Sequence, residues 1–391
     1  MLRSGTHLLA ALFVALPAAA EPDCGIETLG WASVGHPGNP PDAEVMLDDT
    51  SGYGAVDHLF EIQLFEVTNA QYVAFLSAVA SSDPHALYAA DMAIFGGIDR
   101  SGSPGGYAYE VRAGLACEPV NFVSWYNALR FANWMHNGQP VGAQGPATTE
   151  DGAYRFEAPT AVGPRQPAAR VFLPSEDEWY KAAYYDAASG AYHDYPTGTN
   201  VPSVCARAPD TVPNTANCYH PYQAVPAAVG SYSASRSPHG TFDQGGNLHE
   251  WVEQALINGK AVARGGSYTK LEWELASNAR NFSRPQARAA WGFRLARRPP
   301  ERCRWRPGTR RWGQARSGRA ELVPRPWLRS RLCRGLETWP KRQGARPLDF
   351  PHAVPGRAGR RARKRGGPRA LPVASRGAAA LRVRRPHAPH R

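Results

Sequence analysis

Three short stretches of the chain carry apolar residues at helical spacing. Two of them run over Ala70–Ala80 and Trp125–His136, where apolar side chains recur every three or four positions. The third begins after Ser175 and extends to about Tyr185. Ser175 and Glu178 have the spacing of a capping box, in which each side chain bonds the other residue's backbone N–H. The pattern therefore predicts three short helices.

Alternating apolar and polar residues predict a strand within His58–Phe65. A β-hairpin is predicted where the apolar segments Leu256-Ile257 and Ala261-Val-Ala263 flank Asn258-Gly259, a dipeptide that favours the two-residue hairpin turn. Long polar stretches separate these elements and predict irregular surface segments at 81–116, 139–168 and 187–242. Short helices with so much irregular chain between them predict an α+β fold and argue against a helical bundle or a doubly wound sheet.

The net charge changes sign along the chain. Residues 1–300 carry 19 basic and 29 acidic side chains, a net charge of −10, whereas residues 301–391 carry 26 and 4, a net charge of +22. The overall charge of +12 therefore describes neither part and indicates no specific nucleic-acid binding. Residues 299–391 are rich in Arg, Pro and Ala without apolar periodicity, which predicts a disordered basic tail. A frameshift in a GC-rich gene is our explanation for this ending; a tail that binds anionic surfaces is the alternative.

The N-terminus has the pattern of a signal peptide over residues 1–20. Arg3 precedes an apolar run, Leu8–Leu16, and Ala18–Ala20 provides small residues for cleavage. The alternative is a buried N-terminal helix. The run is short for a membrane span, and we expect none in the mature chain. The pattern predicts an exported protein, located in the periplasm, at the cell surface or outside the cell.

Six cysteines occur, and none has the spacing of a CxxC motif or of a zinc site. Cys205 and Cys218 bracket a loop rich in Pro and Asn, and we expect a disulfide between them, with two free thiols as the alternative. Closing such a loop stabilises the fold by about 3 kcal/mol in the chain-entropy model. The pairing of Cys24 and Cys117 stays open.

Six motifs, in order, resemble the sulfatase-modifying-factor family, which contains the formylglycine-generating enzymes and their relatives. The resemblance covers about residues 25–297, within a predicted domain at 21–298, and implies an irregular α+β fold, related to C-type lectins, with little regular secondary structure. The motifs are Glu66-Val-Thr-Asn69, Pro119-Val-Asn-Phe-Val-Ser-Trp125, Leu173-Pro-Ser-Glu-Asp-Glu-Trp179, Gly246-Asn-Leu-His-Glu-Trp251, Arg264-Gly-Gly-Ser-Tyr268 and Gly292-Phe-Arg294.

The resemblance implies an active site that this chain does not reproduce. The formylglycine-generating members hold copper(I) with two cysteines, because soft thiolates suit that ion. The corresponding positions here are Lys270 and Leu275, so copper binding and formylglycine generation are not expected. Ser267 matches an active-site serine of the family, and a hydroxyl that bonds the local backbone is the alternative. The catalytic residues therefore stay unknown.

The resemblance also implies calcium. The family's positions fall on the side chains of Asp243 and Glu250 and on the carbonyls of Gly246 and Leu248, and oxygen ligands of this kind suit calcium. A second position would use Asn217. The alternative for Glu250 is a carboxylate that holds the loop by hydrogen bonds.

Three other residues of these motifs have structural interpretations. His249 stands where many members carry an aromatic residue, and we expect a packed imidazole. Arg294 is expected to bury its stem and pair with an acid. Trp273 is expected in the core, although an exposed tryptophan can stack on a sugar.

Two functions remain open at this stage. The first is an exported, calcium-structured family member that binds a protein or glycan without catalysis. The second is an oxidoreductase of the family that uses a metal site not recognisable in the sequence.

Overall fold

A computed structural model describes residues 24–300 of the chain, with Ala255 left out. The predicted signal peptide (1–20) and nearly all of the predicted basic tail (299–391) lie outside these residues. The helices are α1 Asn69–Val79, α2 Asp91–Phe95, α3 Trp125–His136 and α4 Glu176–Tyr184, with 3-10 turns at Ile26–Thr28 and Glu272–Leu275. The strands are β1 Trp31–Val34, β2 Phe60–Gln63, β3 Ile98–Ser101, β4 Ala108–Val111, β5 Phe156–Ala158, β6 Ala161–Val162, β7 Val171–Phe172, β8 Tyr185–Asp186, β9 Ala191–Tyr192, β10 Val204–Cys205, β11 Thr215–Ala216, β12 His249–Trp251, β13 Ala261–Arg264, β14 Asn281–Ser283, β15 Trp291–Gly292 and β16 Ala296–Arg297.

The three predicted helices are confirmed as α1, α3 and α4. The Thr68 hydroxyl accepts the Gln71 N–H at the start of α1, and the Gln71 side chain accepts the Thr68 N–H in return. The capping box predicted for α4 is formed by Ser175 and Glu178 in the same way. These caps satisfy backbone donors that would otherwise have no partner in the first turn, which explains why the helices start at these residues.

Two four-stranded sheets carry most of the strand pairing. One has the order β1-β2-β16-β7 and contains the strand predicted within His58–Phe65. The other has the order β14-β13-β12-β15, with β12 antiparallel to β13 and parallel to β15. Asn258 and Gly259 both have positive φ, 51° and 73°, at the turn between β12 and β13. The predicted hairpin is therefore confirmed.

The prediction that 81–116, 139–168 and 187–242 are irregular was wrong in part. The first segment contains α2 and the hairpin β3–β4, in which Ile98 and Tyr109 are buried. The segment 139–168 contains the hairpin β5–β6, and 187–242 contains parts of two small sheets, β8–β9 and β10–β11. Strands of two to four residues are too short to show an alternating pattern, so sequence periodicity does not detect them.

An aromatic cluster forms the main core between α1 and α3. Phe75 lies 5.2 Å from both Phe131 and Trp134 between ring centroids, and Phe131 lies 5.4 Å from Phe293. Phe293 belongs to the Gly-Phe-Arg motif, which thus reaches the helical core. The fold is α+β with little regular secondary structure, as predicted, and its sheets and helices hold long connecting segments at fixed positions.

Among the described residues, no helix combines the length and the apolar character that crossing a bilayer requires.

Candidate functional site

The two glycine-rich motifs lie side by side. The Gly246 N–H donates to the Gly265 carbonyl at 2.8 Å, and the Tyr268 N–H donates to the Asn247 carbonyl at 2.8 Å. Gly246 has φ 91° and its α-carbon abuts the backbone of Asn217, so a side chain at this position would clash. The predicted metal residues Asn217, Gly246 and Leu248 are therefore brought together at one tight turn.

Glu250 is committed to a buried ion pair. Its two oxygens accept hydrogen bonds from Arg294 Nε at 2.6 Å and Nη2 at 2.7 Å, and Oε2 also accepts one from Trp179 Nε1 at 2.7 Å. Glu250 and Arg294 are both fully buried. The remaining guanidinium hydrogens go to the carbonyls of Gln63, Leu64 and Phe242, so Arg294 joins three segments of chain. Arg294 is thus buried and paired with an acid, as predicted from the sequence.

Glu66 is a buried acid of this site that sequence reasoning missed. Its carboxylate accepts the Leu248 N–H at 2.9 Å and Asn247 Nδ2 at 2.8 Å, and so holds the glycine turn. Burial, and then the charges of Glu250 and Asp243, raise the pKa of Glu66 well above its usual range. The signal was present in the motif Glu66-Val-Thr-Asn69, which marked the family without indicating what its acid contacts.

Asp243 faces a cavity with room for about one water molecule, roughly 10 Å³, lined also by Thr215, Thr241 and Gln244. Its Oδ2 accepts the Gly230 N–H at 2.6 Å. Burial raises the pKa of Asp243 to about 6, against the Gly230 hydrogen bond and the charge of Arg294, which both lower it. A cation in the cavity would favour the ionised carboxylate.

These contacts decide how well the residues fit calcium. Glu250 does not fit as a ligand, because Arg294 and Trp179 already bond its oxygens and the guanidinium charge repels a cation. Asn217 donates its amide to Asn247 Oδ1 at 3.0 Å and to the Val225 carbonyl at 3.1 Å. Among the predicted side-chain ligands Asp243, Glu250 and Asn217, Asp243 is the one that lines a cavity. Calcium binding itself stays a prediction.

A second group lies at the positions where the resemblance places the copper cysteines. Lys270 Nζ donates to Glu274 Oε1 at 2.9 Å. Glu274 is 8% exposed, and its other oxygen, Oε2, is buried without a hydrogen-bond partner. Glu274 was also missed by sequence reasoning, which assigned the second cysteine position to its neighbour Leu275. The lysine at the first cysteine position thus forms an ion pair with the residue just before the second position. Trp273, which lies between them in the chain, is 49% exposed, so the prediction that it belongs to the core was wrong.

Leu275 belongs to the core. It is fully buried and packs with Tyr195, Ala216 and Cys218. A β-carbon on Gly266, which has φ 69°, would lie 2.7 Å from the Leu275 side chain. The second cysteine position is therefore filled by an aliphatic side chain that the glycine pair accommodates closely.

Ser267 is buried and bonds within its own loop. Its Oγ lies 3.0 Å from Thr269 Oγ1 and accepts the Thr269 N–H at 3.4 Å. Ser267 therefore makes the local hydrogen bonds that were given as the alternative to an active-site role.

His249 is packed against Trp291. It is 1% exposed, its ring lies 4.7 Å from that of Trp291, and its Nδ1 is buried without a partner. Burial, and then the charge of Lys270, lower the pKa of His249 to about 3, so the imidazole is neutral at pH 7. We call Lys270 and Glu274 together the Lys270 site.

Two disulfides join the described cysteines. Cys205 is bonded to Cys218, and Cys24 is bonded to Cys117. The second pairing joins residues 93 apart and could not be read from the sequence. Both bonds suit an oxidising compartment.

The chain is 28% identical over 201 residues to hercynine oxygenase from Mycobacterium tuberculosis, in a match that covers 46% of this chain and 37% of that protein. The chain thus spans little more than a third of the length of that relative.

Similar solved structures include CarF, at 21% identity and a TM-score of 0.45, in a match that covers 70% of this chain and 100% of CarF. They also include Treponema denticola variable protein 1, at 17% identity and a TM-score of 0.45, in a match that covers 69% of this chain and 95% of that protein. PvdO from Pseudomonas aeruginosa matches at 18% identity and a TM-score of 0.41, and the match covers 69% of this chain and 92% of PvdO.

Residues 53–299 match the family model of the sulfatase-modifying factor enzyme 1-like domain, which is well over half of the chain. This match includes the glycine motifs, Arg294 and the Lys270 site. The chain therefore belongs to the sulfatase-modifying factor enzyme 1-like family.

Proposed function

We propose that the protein is an exported binding member of this family that does not oxidise cysteine. The observation that carries the proposal is the Lys270–Glu274 ion pair, with Leu275 in the core, at the positions of the family's copper cysteines. An ammonium group repels a copper cation and an aliphatic side chain offers no lone pair. The four described cysteines are all joined in disulfides, so none of them provides a thiolate in place of these residues.

The proposal is tested with an oxygen electrode, using the mature chain, copper(I) and a cysteine-containing peptide. We expect no oxygen consumption above that of the peptide and copper alone. The matched variant is Lys270→Cys/Leu275→Cys, which restores two sulfurs and is expected to bind copper(I) more tightly than the native chain. Turnover of the peptide by the native chain would overturn the proposal.

The second candidate is an oxidoreductase of the family working through another metal. The similarity to hercynine oxygenase favours it, although that similarity covers only 37% of the relative. Metal analysis of the protein purified from its own host, followed by an oxygen-uptake assay with the metal found, separates the two candidates. Uptake that a chelator abolishes and metal restores would favour the second.

Export is supported by the signal-peptide pattern before Glu21 and by the two disulfides. Expression of the full chain in a secreting bacterial host, followed by mass spectrometry of the periplasmic fraction, is expected to give a mature N-terminus at Glu21. A chain that stays in the cytoplasm with Met1 intact would contradict export.

A further inference from the structure

A cavity of about 150 Å³ lies between the N-terminal segment and the start of α1. Four buried polar side chains line it, those of Gln63, Glu66, Thr68 and Gln71. Its other side is an apolar wall formed by Leu29, Phe65 and Val229. The cavity reaches the surface beside Thr28, which lines it and is exposed. A cavity of this volume holds a molecule of about the size of benzene.

Gln63 brings to this cavity an amide group that the protein leaves partly unbonded. The residue is 2% exposed, and its Oε1 accepts the Leu295 N–H at 2.7 Å. That hydrogen bond fixes which end of the amide is oxygen and which is nitrogen. Among the described residues Nε2 has no acceptor. A donor buried in this way is unfavourable, so a ligand that accepts from it gains a hydrogen bond that the free protein lacks.

Gln71 and Glu66 add a second donor and two acceptors. Gln71 Oε1 accepts the Thr68 N–H at 3.2 Å, and Nε2 makes one long hydrogen bond, 3.5 Å, to the Gly25 carbonyl. The second hydrogen on Nε2 stays available. The oxygens of Glu66 each accept one hydrogen bond from the glycine turn, and a carboxylate oxygen can accept another.

The groups around the cavity select the kind of ligand. The described residues that line it include no basic side chain, and Glu66 is the acid among them. An anion alone therefore finds no counter-charge, whereas a cation alone bonds Glu66 and leaves the amide hydrogens of Gln63 without an acceptor. A zwitterion satisfies both, because its ammonium donates a charge-assisted hydrogen bond to the carboxylate and its own carboxylate accepts from the amides.

We propose that this cavity binds a small apolar α-amino acid as the zwitterion. The ammonium group donates to Glu66, the carboxylate accepts from the amides of Gln63 and Gln71, and the side chain packs against the apolar wall. Alanine and valine have the size that the cavity admits.

The inference goes beyond the proposed function. Neither Lys270 nor Leu275 lines this cavity, so binding of an amino acid here does not depend on what occupies the positions of the family's cysteines.

The test is equilibrium dialysis of the mature chain against radiolabelled L-alanine and L-valine. We expect at least one of them to bind saturably, at one molecule per chain. Propionate lacks the ammonium group, ethylamine lacks the carboxylate, and propionamide lacks both charges. Each should compete about tenfold or more weakly than the unlabelled amino acid, since each loses charge-assisted hydrogen bonds.

Leu29→Trp is expected to abolish binding, because an indole at this position fills the cavity. Leu29 is half-buried, so the larger side chain can be accommodated without disturbing the core. Leu47→Trp is the matched control, because Leu47 is 62% exposed and does not line the cavity, and it should leave the affinity unchanged. Melting temperatures show whether both variants are folded, and the competition series on the native chain decides the matter if Leu29→Trp is not.

The inference is overturned if neither amino acid binds, in which case the cavity holds water only. It is also overturned if any of the three analogues competes as strongly as the amino acid, or if the two folded leucine variants bind it equally well. Those results leave the proposed function standing, because oxygen consumption with the cysteine peptide tests that function without involving this cavity.

Discussion

At the scale of single residues, buried charge dominates this protein. Three carboxylates, Glu66, Asp243 and Glu250, lie around the single guanidinium of Arg294, and all four side chains are buried. Glu250 takes the close ion pair, and the pKa values of Glu66 and Asp243 are raised as a result of burial and mutual repulsion. Arg294 is therefore the residue on which this acidic cluster depends.

Arg294→Met should be one of the most destabilising single substitutions in the domain. It leaves Glu250 buried without a counter-charge, and we expect a loss of about 3–5 kcal/mol in the free energy of unfolding. Arg297→Met is the control, because the Arg297–Glu61 pair is partly exposed and is worth about 1 kcal/mol or less. Urea unfolding followed by tryptophan fluorescence measures both. Equal losses in the two variants would contradict the role given to Arg294.

His249 should make the fold sensitive to acid. Its pKa is about 3 in the folded state and about 6.5 in an unfolded chain, so between these values the unfolded state binds more protons. Stability therefore falls as the pH drops below about 6.5, by about 2–3 kcal/mol at pH 4.5 from this group. His249→Phe should remove that part of the pH dependence. The check is unfolding free energy at several pH values; parallel curves for the two proteins would refute the assignment.

At the scale of elements, short regular pieces are joined by cross-links rather than by long sheets. The Cys24–Cys117 disulfide ties the N-terminal segment to the segment before α3, and Cys205–Cys218 closes the loop that packs on Leu275. Residues 187–242 contain only two-residue strands, so a covalent closure contributes more there than backbone pairing does. The disulfides thus keep irregular segments beside the glycine motifs.

The two disulfides should differ in the stability that they provide. The Cys205→Ala/Cys218→Ala variant opens a loop of 13 residues and should lose about 3 kcal/mol, whereas Cys24→Ala/Cys117→Ala opens one of 93 and should lose about 4–5 kcal/mol. Urea unfolding of both variants under non-reducing conditions gives the comparison. A larger loss from the shorter loop would show that packing around Cys218, rather than loop closure, determines the effect.

At the scale of the whole molecule, the family scaffold is retained while the groups at its reaction centre differ. The six motifs that marked the family fold together around Glu66, Glu250 and Arg294, whose buried hydrogen bonds hold the glycine turn. The Lys270 site then lies on a rigid frame held by the glycine pair. This retained scaffold with a changed centre is the basis on which we propose a binding member of the family.

Calcium is the remaining whole-molecule prediction. We expect calcium to raise the melting temperature above its value in a chelator, since a ligand that binds only the folded state stabilises it. Asp243→Asn should abolish that rise, because Asp243 is the predicted ligand with a cavity beside it. Asp99→Asn, which alters an exposed acid on β3, and magnesium in place of calcium are the controls. Identical melting curves with and without calcium would end this prediction.

The sequence by itself determined the local features and the family. The start of α4 came from Ser175 and Glu178, the hairpin from Asn258-Gly259, and the short disulfide from two cysteines 13 positions apart. These features depend on residues close together in the chain, where spacing is informative. The order of the six motifs added the family, and with it the two positions at which the cysteines are missing.

Only the tertiary structure decided what the motif residues do. Glu66 meets Leu248 across 182 positions, Arg294 meets Glu250 across 44, and His249 Nδ1 is buried without a hydrogen-bond partner. Irregular connections of variable length bring these groups together, and no periodicity records such contacts. Whether a carboxylate faces a guanidinium, a cavity or nothing depends on that packing, and this determines whether it binds a metal, holds a turn or stays free for a ligand.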